Sequence, residues 1–139
     1  MSDPATRSNN LYEAVDGGVQ ALVPFPFFVH TPVANIELMD LALPTDLEII
    51  RMDVTPGDCG SGDSSTIDIL DDTVSVFDSI PTIANDATNG TTQYFYPDPD
   101  LAEVAIGSVL KLYFAAGATA AANFSITVWA VTKRHLNSS

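Results

Sequence analysis

A chain of 139 residues with 46% hydrophobic and 17% charged side chains can bury one core without covalent staples, which excludes a disordered segment. Its formal net charge of −13 leaves no basic face for a phosphate backbone and so excludes direct nucleic-acid binding. The lone Cys59 excludes an internal disulfide, and no apolar run approaches the ~18 residues that span a bilayer, so no membrane contact is expected.

Charge is distributed unevenly along the chain. All eighteen acidic residues lie between Asp3 and Glu103, where Arg7 and Arg51 are the only bases. After Glu103 there are no acids, only Lys111, Lys133 and Arg134. The acidity reads either as a solvated surface kept soluble by repulsion, suited to a salty medium, or as acidic and weakly basic ends that meet different neighbours in an assembly, and the reading leans to the first.

Residues 1–20 are polar and unpatterned, with Pro4, Asn9-Asn10 and Gly17-Gly18, and are expected to form an extended arm. Residues 21–139 are expected to form one domain. No basic segment followed by an apolar one marks a secretory signal, so the sequons at Asn89, Asn123 and Asn137 are chance matches. The stretch Ala21–Val29 (ALVPFPFFV) is apolar but carries Pro24 and Pro26, which forbid a central strand and fit an edge strand or a segment lying on a surface. Phe25, Phe27 and Phe28 beside them would make a costly exposed patch on a monomer. They either cover this domain's core or bury against another subunit, and the reading leans to the second.

From Val33 onward the pattern is β. Strands are predicted over Asn35–Leu41, Leu47–Val54, Ser65–Leu70, Thr73–Phe77, Thr91–Tyr96, Val109–Phe114 and Asn123–Lys133. Alternation is clearest at Ile67/Ile69, at Leu110/Leu112/Phe114 and at Phe124/Ile126/Val128. Turn signals fall between them at Pro44, Pro56-Gly57, Asp71-Asp72, Asn89-Gly90, Pro97 to Asp100 and Gly117. Short strands at this spacing predict an all-β fold, an antiparallel β-sandwich of jelly-roll type. Ala115–Ala122 is read as a loop or close-packing segment.

Chemistry is sparse. His30 sits beside a Thr31-Pro32 turn and His135 near the C-terminus, neither at a catalytic spacing from a carboxylate or hydroxyl. Cys59 lies in a Gly/Asp/Ser loop without metal-ligand spacing. The acidic turns Asp58–Asp63 and Asp98/Asp100 lack the spacing of a calcium loop and read as solvated turns. Tyr94, Phe95, Tyr96, Tyr113 and Trp129 suit cross-strand pairs or interface anchors, or a sugar-binding surface. No catalytic residue, cofactor or metal is assigned, and the chain is expected not to be an enzyme.

The order Gly60–Ile69 (GSGDSSTIDI), Val76-Phe77, Pro81-Thr82-Ile83-Ala84, Ile106 to Leu112 (IGSVLKL) and Phe124 to Val128 (FSITV) resembles a small β-sandwich module of tailed-bacteriophage virion proteins. The likeness covers roughly residues 36–132 and departs from the module's pattern twice. Gly107-Ser108 stands where the module has Gly-Asp, and Asp71-Asp72 stands at its Asn-Gly hairpin turn. The resemblance implies a virion structural protein: a capsid decoration (cement) protein on the outer head surface, made without a signal peptide in the host cytoplasm. It implies a homotrimer whose partner is the major capsid protein of the phage head. Phe25, Phe27 and Phe28 are then the partner-binding residues, with the 1–20 arm as a latch. The alternative is a tail-fibre module recognising cell-surface glycan through Tyr94, Tyr96 and Trp129.

Overall fold

The alternation that runs through the last third of the chain builds its longest strand. In the computed structural model, which describes residues 18–31, 35–115 and 119–135, Phe124, Ile126, Val128 and Ala130 all point inward and are fully buried. They belong to a fourteen-residue strand with the intervening side chains turned outward. Period-two patterning of this kind places one face on a core and one toward solvent.

Among the described residues there are ten strands: β1 Gly18–Val29, β2 Ile36–Ala42, β3 Asp46–Asp58, β4 Ser65–Asp71, β5 Val74–Ser75, β6 Thr82–Ile83, β7 Gln93–Phe95, β8 Glu103–Val104, β9 Val109–Ala115 and β10 Ala122–His135. They form two antiparallel sheets. One runs β1-β10-β3-β7 with β8 also on β3, and the other runs β2-β9-β4-β5 with β6 also on β4. Taking β5 with β6, and β7 with β8, as single broken strands leaves a nested pattern. The first strand pairs with the last, the second with the next to last, and so inward to the β4–β5 hairpin. That nesting, with both sheets facing a common interior, is a jelly roll.

The core lies between the sheets. Ile49, Met52 and Val54 of β3 join the inward row of β10, facing Ile67 and Ile69 of β4 and Leu110, Leu112 and Phe114 of β9. Phe114 and Phe124 meet edge to face with ring centroids 4.9 Å apart, linking the two sheets.

The structure refines several sequence boundaries. Of the two alternatives for Ala21–Val29 the structure has the edge strand: among the described residues β1 pairs only with β10, from Gly18↔His135 to Val29↔Phe124. The arm expected over 1–20 falls outside the described residues up to residue 17, and Gly18 already begins β1. The β4 hairpin turns one residue later than the Asp71-Asp72 pair suggested, because Asp71 still pairs with Val74. Asp72 takes the left-handed backbone (φ 56°) and its carboxylate accepts the Val109 N–H at 2.8 Å. The expected strand over Thr73–Phe77 shrinks to Val74–Ser75, where the Ser75 hydroxyl caps the Asp68 carboxylate at 2.6 Å and accepts the Phe77 N–H. The strand expected over Thr91–Tyr96 likewise shrinks to Gln93–Phe95, and the two-residue strands β6 and β8 carry too little pattern to be read. Of the Ala115–Ala122 segment, residues 116–118 lie outside the described part, while Thr119 bridges to Ser61 on a neighbouring loop.

Candidate functional site

The outward residues of β3 and β10 gather a cluster that alternation alone dictates. Arg51 and Asp53 are two apart on β3 and so share a face. Trp129 lies opposite Arg51 on β10, and Tyr94 lies opposite Asp53 on β7. A register shift between Trp129 and Ala130 leaves Ile50 without a partner, so Ile50 adds its side chain beside Arg51.

Within the cluster the Arg51 guanidinium pairs with both carboxylate oxygens of Asp53, Nε to Oδ1 at 2.6 Å and Nη2 to Oδ2 at 3.1 Å. Trp129 Nε1 donates to Asp53 Oδ2 at 3.0 Å. The guanidinium also lies over the Tyr94 ring, 5.0 Å from its centroid. Hydrogen bonding to Asp53 raises the Arg51 pKa further above its ordinary value, outweighing desolvation. Leu22 of β1 joins Ile50, Arg51 and Trp129 around a shallow depression of about 280 Å³. Tyr94 and Tyr96 stand exposed beside it, at 53% and 66%.

Further along the same face, Lys133 binds Glu48 at 2.8 Å and Glu103 at 2.6 Å, and those two carboxylates hold its pKa above the ordinary lysine value. The outer face of this sheet thus carries the Arg51–Asp53 pair, Lys133 shared between Glu48 and Glu103, and Asp46 accepting the Ile106 N–H, and it exposes Leu22, Phe28 and Ile50. The outer face of the other sheet is different. It presents Glu37, Asp40 and Asp68 around Lys111 and Tyr113, with no ion pair among these described side chains.

The three phenylalanines expected to bind a partner do not act alike. Phe25 and Phe27 point inward and pack, partly buried, against the chain's own core. Phe28 points outward, 62% exposed, with its ring stacked against His30 at 6.5 Å. Alternation along β1 separates them. The two prolines obscured that alternation in the sequence.

The remaining polar groups serve the fold. His30 Nδ1 meets Asn123 Oδ1 at 2.6 Å. Cys59 is buried, and burial followed by the charges of Asp58 and Asp86 pushes its thiol pKa up, away from a reactive thiolate. The Asp58, Asp63 and Asp98 carboxylates accept the nearby backbone N–H groups of Gly60, Ser64 and Asp100, holding tight turns. Among the described residues no three His, Cys, Asp or Glu side chains converge. The same residues contain no helix long and apolar enough to cross a membrane. The Arg51–Asp53 pair escaped the sequence reading, although its two-residue spacing on a strand was a visible sign. Its junction with Trp129 was not visible, since 76 residues separate Trp129 from Asp53.

No family model matches the chain, and no curated protein matches it. Its fold is similar to that of a chain in the cyanophage Pam1 capsid asymmetric unit, at a TM-score of 0.55 and 13% identity, over 86% of this chain and 87% of that one. Looser likenesses reach the VP2 subviral particle of infectious bursal disease virus, at a TM-score of 0.43 and 18% identity, where the chain spans 34% of the other's length. A T13 particle of the same virus gives a TM-score of 0.45 and 17% identity over 32% of that chain. The cyanophage likeness shows a shared all-β sandwich fold.

Proposed function

We propose that this protein is a capsid decoration (cement) protein. It sits on the outer head surface between capsomers, as a homotrimer, and stabilises the shell by binding its assembled state. The observation that carries this reading is the group of exposed apolar side chains, Leu22, Phe28, Ile50, Tyr94 and Tyr96, on the outer side of the β1-β10-β3-β7 sheet. Exposed aliphatic and aromatic groups on one sheet face mark a surface made to be covered by protein. The fold likeness supports the reading further. The matched shares of the two chains are nearly equal, so the Pam1 capsid contains a chain of about this size and shape.

The chemistry of such a clamp needs no reactive group. Anything that binds only the assembled shell stabilises that shell by mass action. Several modest contacts made at once by a trimer add up through effective concentration. Phe28 is the best placed of the three phenylalanines to touch the shell, with Phe25 and Phe27 holding its strand to the core. The test is occupancy on heads stripped of accessory proteins. Phe28→Ser and removal of residues 1–17 are each expected to lower occupancy at least tenfold, about 1.4 kcal/mol. Unchanged occupancy in both variants would sink the assignment of these contacts.

A second reading rests on one specific observation. Tyr94, Tyr96 and Trp129 come to one side of the sandwich beside the Arg51–Asp53 pair. Aromatic faces next to a charged pair suit a sugar ring, as a tail-fibre module recognising cell-surface glycan requires. A glycan array separates the two. Binding abolished by Tyr96→Ala favours the fibre reading, and an array without binding removes it.

A further inference from the structure

We propose that the outer edge of β2 is a docking site for the shell, which adds to the β2-β9-β4-β5 sheet an extended strand of alternating apolar and basic residues. The inference deepens the shell-binding part of the proposed function and rests on that reading.

A sheet edge offers N–H and C=O groups to any strand laid alongside it, and proteins blunt the edges that they do not use. Of the four sheet edges among the described residues, three are blunted. β1 carries Pro24 and Pro26, which have no N–H to give. The edges at β5 with β6, and at β7 with β8, are broken into strands of two or three residues. β2 runs unbroken over seven residues without proline or glycine, and among the described residues it pairs only with β9. The backbone groups that face away from β9 follow from the pairing. Val109, opposite Ala42, gives its N–H to the Asp72 carboxylate and takes the Asp72 N–H on its C=O. Ala42 therefore turns its own N–H and C=O outward, and so does Asp40 two residues earlier.

The side chains along this edge specify the strand that fits. The inward row is left bare at its margin: Leu41 lies opposite the fully buried Leu110 and is itself 37% exposed. Ile36, opposite the buried Phe114, is also only partly covered. An added strand covers both with apolar side chains. The outward row is acidic. A register shift between Glu37 and Met39 brings Glu37 and Asp40, three positions apart, onto one outer face opposite Tyr113 and Lys111. Among the described residues neither acid forms an ion pair, and Glu37 accepts from the Tyr113 hydroxyl at 3.3 Å. Opposite charges on adjacent strands stabilise a sheet and like charges destabilise it, so basic side chains on the added strand suit Glu37 and Asp40. A second copy of this chain suits them poorly. It brings a further −13 and, through its own β2, the same two acids.

The experiment is amide hydrogen exchange of the full chain, free and bound to stripped heads, read residue by residue. In the free protein the Asp40 and Ala42 amides are expected to exchange fast, and the Leu43 amide, bonded to the Ser108 carbonyl at 2.9 Å, to be protected. On heads the Asp40 and Ala42 amides are expected to slow by about a hundredfold. Ala42→Pro removes one outward donor without touching the β9 ladder, and Asp40→Lys reverses one outward charge. Each is expected to lower head occupancy about tenfold with unchanged circular dichroism, whereas Asp100→Lys, the same charge change in a turn before β8, is expected to leave it intact. Asp40 and Ala42 amides already slow in the free protein would put residues 1–17 or a second copy on the edge and overturn the inference. Bound protein in which both amides still exchange fast overturns it too and leaves the capsid reading standing. Edge variants that bind like the wild type, or Asp40→Lys and Asp100→Lys weakened alike, count against it in the same way. Protein that ignores heads altogether overturns the capsid reading, and the inference with it.

Discussion

At the scale of single residues, Asp53 organises the candidate surface by accepting from Arg51 on one strand and from Trp129 on the next. Asp53→Ala leaves the part-buried indole N–H without its acceptor, a loss on the order of 1 kcal/mol in urea unfolding. Trp129 is the only tryptophan, so its fluorescence reports the change directly, with a red shift expected as water reaches the ring. Asp53→Asn keeps an acceptor and is expected to lose less. Asp71 gives a pH-dependent test. Burial, then the neighbouring Asp72 charge, raises its pKa above the ordinary 3.8, against a smaller opposing hydrogen bond from Ser108. The folded state therefore holds this proton more tightly than the unfolded chain does. Asp71 thus takes stability away as pH rises from about 3.8 through its raised value, and the loss is complete above that value. Asp71→Asn is expected to raise the melting temperature at pH 7 and to match the wild type near pH 3, where both side chains are neutral. Equal melting temperatures at pH 7 would show that the site is not strained.

Among the elements, the junction of β3 with the start of β10 is closely packed at Gly57. A Cβ added at Gly57 would lie 2.7 Å from both the Asn123 Cβ and the Asn123 carbonyl oxygen. Asn123 itself holds a positive φ of 59° and cannot easily give way. Gly57→Ala is expected to destabilise by roughly 1–3 kcal/mol in denaturant unfolding, whereas an open turn such as Gly90→Ala meets no atom and costs only its backbone conformation. Phe114→Ala, which removes one half of the edge-to-face pair between the sheets, is expected to cost about 3–5 kcal/mol. Much of this level was legible in the sequence. Alternation gave the inward rows of β4, β9 and β10 residue by residue, because a half-buried strand must alternate whatever its partner is. The prolines kept β1 out of the sheet centre but left an edge strand and a surface segment both open. What could not be read were partners and breaks. Gly18 lies against His135 across nearly the whole described chain, and the bulge at Ile50 exists only relative to β10. The turn at Asp72 was missed by one residue because its side chain is fixed by Val109, a contact from another strand.

For the whole molecule, the balance is between a sandwich core that binds the sheets together and a surface charge that pushes the chain apart. Melting temperature is expected to rise by several degrees between ~10 mM and ~500 mM salt, as screening shortens the range of repulsion between acids. A fall over that range would mean that ion pairs such as Lys133 with Glu48 and Glu103 outweigh the repulsion. The central claim of the proposed function is that the protein binds an assembled shell. The most direct test titrates the purified protein onto heads stripped of their accessory proteins and follows copies bound and head melting together. The account predicts saturation at a fixed number of copies, in multiples of three, with a higher melting temperature for the decorated heads. Heads that take up no protein, or that melt unchanged when saturated, would contradict it.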